Sequence, residues 1–175
     1  ITYARVATEI DRIRIMETIL HDHDLDILKT FGSDHHFIKD ILWAIDQLKR
    51  ESVSPHEFSD RIILQEKYIL ADPSSYYKRA TKNNKQGDLK PGSLRVVAKN
   101  RELQMVYAAY QLQLKKDDLY DFTDMIMEFV TVAESNDEFA SILREQYQYV
   151  LVDEHQDTND GQNRIIETLT SAEHL

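Results

Sequence analysis

The stretch Tyr149-Val150-Leu151-Val152-Asp153-Glu154-His155-Gln156-Asp157-Thr158 decides how the rest of the chain is read. Four apolar residues run without a polar interruption, the pattern of a short strand covered on both faces. Two carboxylates follow at once, where such a strand would leave its sheet. In open α/β folds, ligands sit beyond the carboxyl ends of the strands. An Asp there can hold a magnesium ion through water, and an adjacent Glu can orient or deprotonate an attacking water. An apolar run ending in Asp-Glu is also common in strands that simply enter an acidic loop. The continuation Gln156-Asp157-Thr158 is what makes the stretch specific.

Everything before Tyr149 has the period of helices. Val6, Ile10, Ile13, Met16 and Leu20 recur at three- and four-residue spacing and predict a helix over Tyr3 to Leu20. Phe37, Ile38, Ile41, Leu42, Ile45 and Leu48 predict a second from about Asp34 to Arg50, with Trp43 at the edge of its stripe. Ser54-Pro55-His56-Glu57 is a start signal: serine caps, proline fills the first helical position and glutamate completes a capping box. Asp72-Pro73-Ser74-Ser75 repeats that logic for a shorter helix through Tyr76 and Tyr77. Thr81 to Ser93 contains Asn83-Asn84, Gln86-Gly87-Asp88 and Pro91-Gly92 and reads as an exposed, mobile loop. The helical period returns from Leu94 to about Leu114, with Tyr107 and Tyr110 on one face as core aromatics. Asp121 is placed to cap a further helix to about Ala133, with Phe122 and Ile126 on its buried side. Ser135 to Glu138 reads as another capping box, followed by Phe139, Ile142, Leu143 and Tyr147 on one face. A last helix begins near Asn159 or Asp160. The chain is therefore expected to be mainly α, with Tyr149 to Val152 as its one strand.

Composition narrows the classes. The 175 residues suffice for one sizeable core, or for a helical domain and part of another. With 4 glycines and 3 prolines, turns are few and helices long. Without cysteine there are no disulfides and no thiolate-ligated zinc or iron–sulfur centres. No apolar window approaches membrane-spanning length and no signal peptide is visible, so no membrane partner and a cytoplasmic location are expected. A chain that starts at Ile1 is expected to be an excised fragment or a processed product.

The net charge of -10 argues against a dedicated nucleic-acid domain, but the charge is uneven. Lys78, Arg79, Lys82, Lys85, Lys90, Arg95, Lys99 and Arg101 stand against a single acid, Asp88, in the window they span. Accessible positive charge is all that phosphate contact requires, so this window is the candidate nucleic-acid surface. A solvated lysine-rich loop is the plainer alternative. Two other clusters invite metal readings: His21-Asp22-His23-Asp24 with His35 and His36, and the carboxylates Asp121 and Asp124. Neighbouring positions in a loop rarely converge on one ion, and Asp121 and Asp124 read better as a helix cap and a solvated side chain.

The string Val152-Asp153-Glu154-His155-Gln156-Asp157-Thr158 resembles motif II, the Walker B segment, of superfamily 1A DNA helicases of the UvrD/Rep/PcrA type. Leu119-Tyr120-Asp121-Phe122-Thr123-Asp124-Met125-Ile126 is similar to the Leu-x-Asp-Phe-x-Asp/Glu-Leu-Leu signature of those proteins, and Val106 to Gln111 to the tyrosine-rich helix ahead of it. Gln162 matches the glutamine that often follows motif II. In such helicases two recombinase-like motor domains, 1A and 2A, bracket ATP, and helical insertions, 1B and 2B, ride on them. The resemblance implies a helical 1B-like domain over residues 1–118, followed over 119–175 by a truncated α/β piece of the P-loop motor domain 1A. The Walker B strand would lie at 149–154. Asp153 would coordinate magnesium, chiefly through water, and Glu154 would act as the catalytic base. Gln156 and Asp157 would join the nucleotide site to neighbouring motor motifs. His155 falls in a variable slot.

The implied parent is an ATP- and Mg2+-dependent DNA helicase or translocase of 3′ to 5′ polarity, acting in repair or replication. Its partners would be single-stranded and forked DNA and the remaining parts of 1A, 2A and 2B. These 175 residues contain no Gly-x-x-x-x-Gly-Lys-Ser/Thr phosphate loop, so the fragment alone is expected to be inactive and to bind neither ATP nor magnesium tightly. The long loop from Lys82 to Lys90 departs from the compact members of the family, and no DNA contact is carried over to it from them. Two rivals stand beside this reading. One is a non-catalytic helical interaction or DNA-binding module of a repair assembly, and the other is a small metal-dependent hydrolase built on Asp153, Glu154 and Asp157.

Overall fold

The computed structural model describes residues 4–28 and 37–170. The chain is mainly helical. A two-residue strand β1 (Arg5–Val6) leads into α1 (Glu9–Asp22), α2 (Ile38–Arg50) and α3 (Pro55–Ala71). After an irregular stretch come α4 (Arg95–Lys116), strand β2 (Leu119–Tyr120), α5 (Phe122–Ser135), α6 (Asp137–Gln146) and α7 (Asp160–Thr170). Single 3-10 turns lie at Pro73–Ser75 and His155–Asp157.

Local chemistry sets the helix starts. The Thr8 hydroxyl accepts from the Asp11 amide at 3.2 Å while Asp11 accepts from the Thr8 amide at 2.9 Å, so α1 begins at Glu9, later than the apolar period suggested. The residues ahead of that cap are extended. β1 pairs in parallel with β2, Arg5 opposite Leu119 and Val6 opposite Tyr120. Neither strand carries a readable sequence signal. Two-residue strands have no period, and their pairing joins segments more than a hundred positions apart. Ser54 and Glu57 form the expected reciprocal box at α3. At α6 the cap is Asn136, which accepts from the Phe139 amide at 3.0 Å, whereas Ser135 is the last residue of α5. The serine-to-glutamate box expected there is not formed. Asp72 caps only one 3-10 turn instead of a helix reaching Tyr77. The N-terminal turn expected for α2 near Asp34, together with His35 and His36, lies outside the described residues.

The main core is built by one face each of α1, α2 and α4. Ile15, Met16, Ile19 and Leu20 meet Ile38, Ile41, Leu42 and Ile45 against Val106, Tyr107, Tyr110 and Leu114. Tyr107 and Tyr110 are the buried aromatics their spacing predicts. The Tyr107 hydroxyl donates to the Val53 carbonyl at 3.1 Å, and burial pushes its pKa up to about 12. Glu102 on α4 fastens the chain after α1: its carboxylate accepts from the amides of Asp26, Ile27 and Leu28 at 2.8 to 3.0 Å. α3 lies along the first half of α4, joined by Asn100 to Gln65 at 3.0 Å and Arg101 to Glu66 at 2.5 Å.

α5 bridges this unit to the C-terminal helices. It packs on α2 on one side and on α6 and α7 on the other. Phe129 meets Phe139 edge to face at 6.0 Å, which joins α5 to α6. Phe122, expected on the buried side of α5, is 64% exposed, because the inward position goes to Thr123. Trp43, expected to pack at the edge of its helix, is 65% exposed.

The expected strand over 149–154 is not formed. Residues 149–152 join no ladder among the described residues, and Tyr149 and Leu151 are 90% and 98% exposed. A strand exists only against a neighbour that accepts its hydrogen bonds. The described residues supply none at this place.

Candidate nucleotide and nucleic-acid site

The acidic motif sits on an open turn between α6 and α7. Asp153, Glu154, His155, Gln156 and Asp157 are all exposed. The Glu154 amide donates to the Asp153 carboxylate at 2.9 Å. Glu154 itself adopts φ +49°, the left-handed region that L-residues seldom occupy. That conformation turns the chain out of the apolar run and into the 3-10 turn His155–Asp157, closed by the Asp157 amide on the Glu154 carbonyl at 2.8 Å. The Gln156 side-chain amide donates to the Glu154 carboxylate, so the two residues orient one another. Thr158 and Asn159 then lead into α7. Asn159 and Gln162 form a reciprocal cap, each amide on the other side chain at 3.0 Å, which gives Gln162 a local structural task.

Among the described residues no group of three or more acidic or histidine side chains is arranged to hold a metal ion. The alternating His and Asp at 21–24 do not converge. His21 contacts Asp22 at 3.1 Å, and the Nδ1 of His23 turns back to the Ile19 carbonyl at 2.9 Å. Asp153 and Glu154 offer hard oxygen donors suited to magnesium, but only as a pair. This donor set fits a magnesium ion that arrives with the phosphates of a nucleotide and keeps several waters, and does not fit a resident metal.

Asp121 and Asp124 depart most from expectation. Asp121 is the cap, with the Asp124 amide on its Oδ1 at 2.9 Å and its own amide on Asp124 Oδ2 at 3.2 Å. It is not solvated. Its side chain is 2% exposed and meets the Lys49 ammonium at 2.5 Å. Lys49, equally buried on α2, also reaches Asp124 at 2.7 Å and lies 5.2 Å from the centre of the Tyr110 ring. The Tyr110 hydroxyl donates to Asp121 at 3.3 Å and accepts from Arg12 at 2.9 Å, while Arg12 grips Asp46 at 2.8 Å. Burial pushes the Asp121 carboxyl up, but the Lys49 ammonium and the Asp124 amide outweigh it and hold the group below the usual carboxylate range. This knot consumes both carboxylates, so neither is free to bind a metal. Lys49 carries no signal in the sequence because its carboxylate partners lie more than seventy positions away.

The basic window divides. Lys78, Arg79, Lys82 and Lys85 on the α3–α4 connection, and Arg95 and Lys99 on α4, are exposed; Lys78 lies near enough to Asp72 to act on its carboxyl, and the side chains of the other five meet no partner among the described residues. Arg101 is neutralised by Glu66, and the Lys90 ammonium donates to the Ser74 carbonyl at 2.6 Å. The connection is irregular but not structureless. Tyr76 bridges Leu89, the Tyr77 amide donates to Asp88 at 2.9 Å, and Gly87 takes φ +87° at the return. Arg164 is a further residue that periodicity did not single out. Its guanidinium joins Glu134 on α5 and Ser52 in the α2–α3 turn.

A helical unit that ends in an exposed acidic turn followed by a capped helix matches one known family over nearly its whole length. The chain belongs to the family described as the UvrD/REP helicase N-terminal domain, which matches residues 4–175. Among individual relatives, the ATP-dependent DNA helicase PcrA of Staphylococcus aureus is 31% identical over 130 residues, 72% of this chain and 16% of that protein. The PcrA of Leuconostoc citreum is 41% identical over 64 residues, 37% of this chain and 8% of that protein. The PcrA of Staphylococcus epidermidis is 29% identical over 126 residues. The chain thus spans 16% of the length of the Staphylococcus relatives. Among the described residues no helix is long and apolar enough to cross a membrane.

Proposed function

We propose that this chain is the part of an ATP-driven DNA helicase or translocase that carries a 1B-like helical insertion, residues 1–118, and the motif II portion of motor domain 1A from residue 119. The observation that carries the proposal is the acidic motif Asp153–Thr158 held on an exposed turn, in a chain whose family match runs through it. The 3′ to 5′ polarity and a role in repair or replication follow the same resemblance. The exposed apolar run 149–152 is then an inner strand of the motor sheet, paired and covered by parts of 1A outside this chain.

In this reading Asp153 would hold magnesium, chiefly through water. Bound with ATP, magnesium would offset the negative charge of the phosphates. Glu154 takes a proton from the attacking water, and the Gln156 amide keeps the Glu154 carboxylate turned toward it. Asp157 closes the 3-10 turn that presents both carboxylates. Lys78, Arg79, Lys82, Lys85, Arg95 and Lys99 supply positive charge to the phosphates of single-stranded or forked DNA. Lys90 and Arg101, already engaged, contribute less. No phosphate loop lies within these 175 residues, so the isolated chain hydrolyses no ATP.

The test is ATP turnover by the whole protein, titrated with single-stranded DNA at two salt concentrations. Glu154→Gln should reduce turnover by roughly 10²- to 10⁴-fold while ATP still binds, because only the base is lost. Replacing Lys78, Lys82 and Lys85 by alanine should raise the DNA concentration needed for half-stimulation and flatten its salt dependence, by roughly 0.7 in logarithmic slope for each phosphate no longer neutralised. Full turnover in Glu154→Gln would remove the catalytic assignment. An unchanged DNA requirement in the lysine variant would make the basic connection a solvated surface.

A further inference from the structure

Arg164 occupies the first half of α7, seven residues after the motif's Asp157. Its Nε donates to Glu134 Oε1 at 2.8 Å and its Nη2 to Glu134 Oε2 at 2.5 Å, a two-pronged grip on α5. The third nitrogen, Nη1, donates to the Ser52 hydroxyl at 2.9 Å. Ser52 belongs to neither helix that Arg164 otherwise joins. It forms the turn between α2 and α3, held at φ +53°, where a residue with a side chain sits only when its surroundings insist. The same hydroxyl lies 4.0 Å from the Met127 sulfur of α5, and Gly161 of α7 approaches both that sulfur and the Arg50 carbonyl of the turn. A Cβ at Gly161 would stand 3.2 Å from the sulfur. The first turn of α7 is therefore wedged between α5 and the α2–α3 turn.

The turn is also the root of the α3–α4 arm. From Ser54 the chain enters α3, which is tied to α4 through Gln65 and Glu66, and the connection between their far ends carries the exposed cations. A continuous path of contacts therefore runs from those cations along α3 to Ser52, and from Ser52 through one guanidinium to the helix that follows the acidic turn.

We propose that Arg164 is a positioning residue that couples the basic α3–α4 arm to the Asp153–Asp157 turn, so that phosphate binding on the arm adjusts the carboxylates of that turn. This inference rests on the function proposed above. Coupling can be carried by hydrogen bonds between packed elements, and the Ser52–Arg164 hydrogen bond supplies such a link.

The experiment uses the whole protein and compares wild type with Arg164→Met and Ser52→Gly. Ser52→Gly is the sharper variant. It removes the hydroxyl, relieves the left-handed backbone and leaves the Arg164–Glu134 pair intact. Four quantities are read: DNA-free ATP turnover, the KM for ATP, the affinity for a labelled oligonucleotide, and the factor by which saturating single-stranded DNA stimulates turnover. Both variants should lower the stimulation factor by roughly 2- to 30-fold, with the other three unchanged, and the double variant should lose no more than Arg164→Met alone. A stimulation factor equal to wild type in Ser52→Gly overturns the inference. Equal loss of DNA-free and DNA-stimulated turnover in Arg164→Met also overturns it, since that is what mere loosening of α7 would do. If wild type itself is not stimulated by DNA, the parent reading fails first and takes this inference with it.

Discussion

Two acid-bearing stretches of this chain look alike in sequence and end in opposite states. Leu119-Tyr120-Asp121-Phe122-Thr123-Asp124 and Leu151-Val152-Asp153-Glu154 each place carboxylates directly after apolar residues. In the first, the apolar residues pair with β1 and the carboxylates are consumed by Lys49 and a helix cap. In the second, the apolar residues face solvent and the carboxylates meet no cation among the described residues. The difference lies in the partners. A carboxylate with a buried ammonium and a satisfied cap is a structural joint. One on an open turn keeps its lone pairs for water, metal or substrate.

The contrast breaks most visibly at Lys49. Lys49→Met leaves Asp121 buried without its cation and should destabilise the chain by about 3–5 kcal/mol, read from the urea midpoint. A loss near the 0–1 kcal/mol of an exposed pair would show that the knot is solvated after all. Acid should weaken the same joint. The folded Asp121 titrates below its unfolded value of about 3.9, so its contribution is complete above that pH and is lost as the pH falls through the depressed folded value. Asn at 121 can still cap but cannot ionise. The stability gap between wild type and Asp121→Asn should therefore be widest at neutral pH and close in acid. A gap that stays constant down to pH 2 would sink that account. The smallest effect belongs to the other stretch. Leu151→Ser should change the stability of the 175-residue chain by no more than about 0.5 kcal/mol, whereas Ile45→Ala, in the buried core, should cost about 2–5 kcal/mol. A large loss at Leu151 would mean that the run finds a partner within the chain.

Helices α3, α4, α5 and α7 were legible because capping and the 3.6-residue period act over a few residues. Ser54 with Glu57, Asp121 as a cap, and buried Tyr107 and Tyr110 all follow from spacing alone. Val6 fitted a helical period but is drawn into a strand by β2, and Phe122 has the right spacing for burial yet lies outside.

By itself, the sequence determined a mainly helical chain, the order of most of its helices, the caps Ser54 and Asp121, the uneven distribution of its positive charge, and the family to which its acidic motif belongs. Each of these rests on neighbours in the chain. Only the tertiary structure decided that Lys49 would bury itself against Asp121, that Arg101 and Lys90 would be engaged while Lys82 and Lys85 meet no partner among the described residues, and that Arg164 would reach Ser52. Those outcomes depend on distances between residues far apart in sequence. Burial of a charge is favourable only where the fold brings its counter-charge within hydrogen-bonding reach.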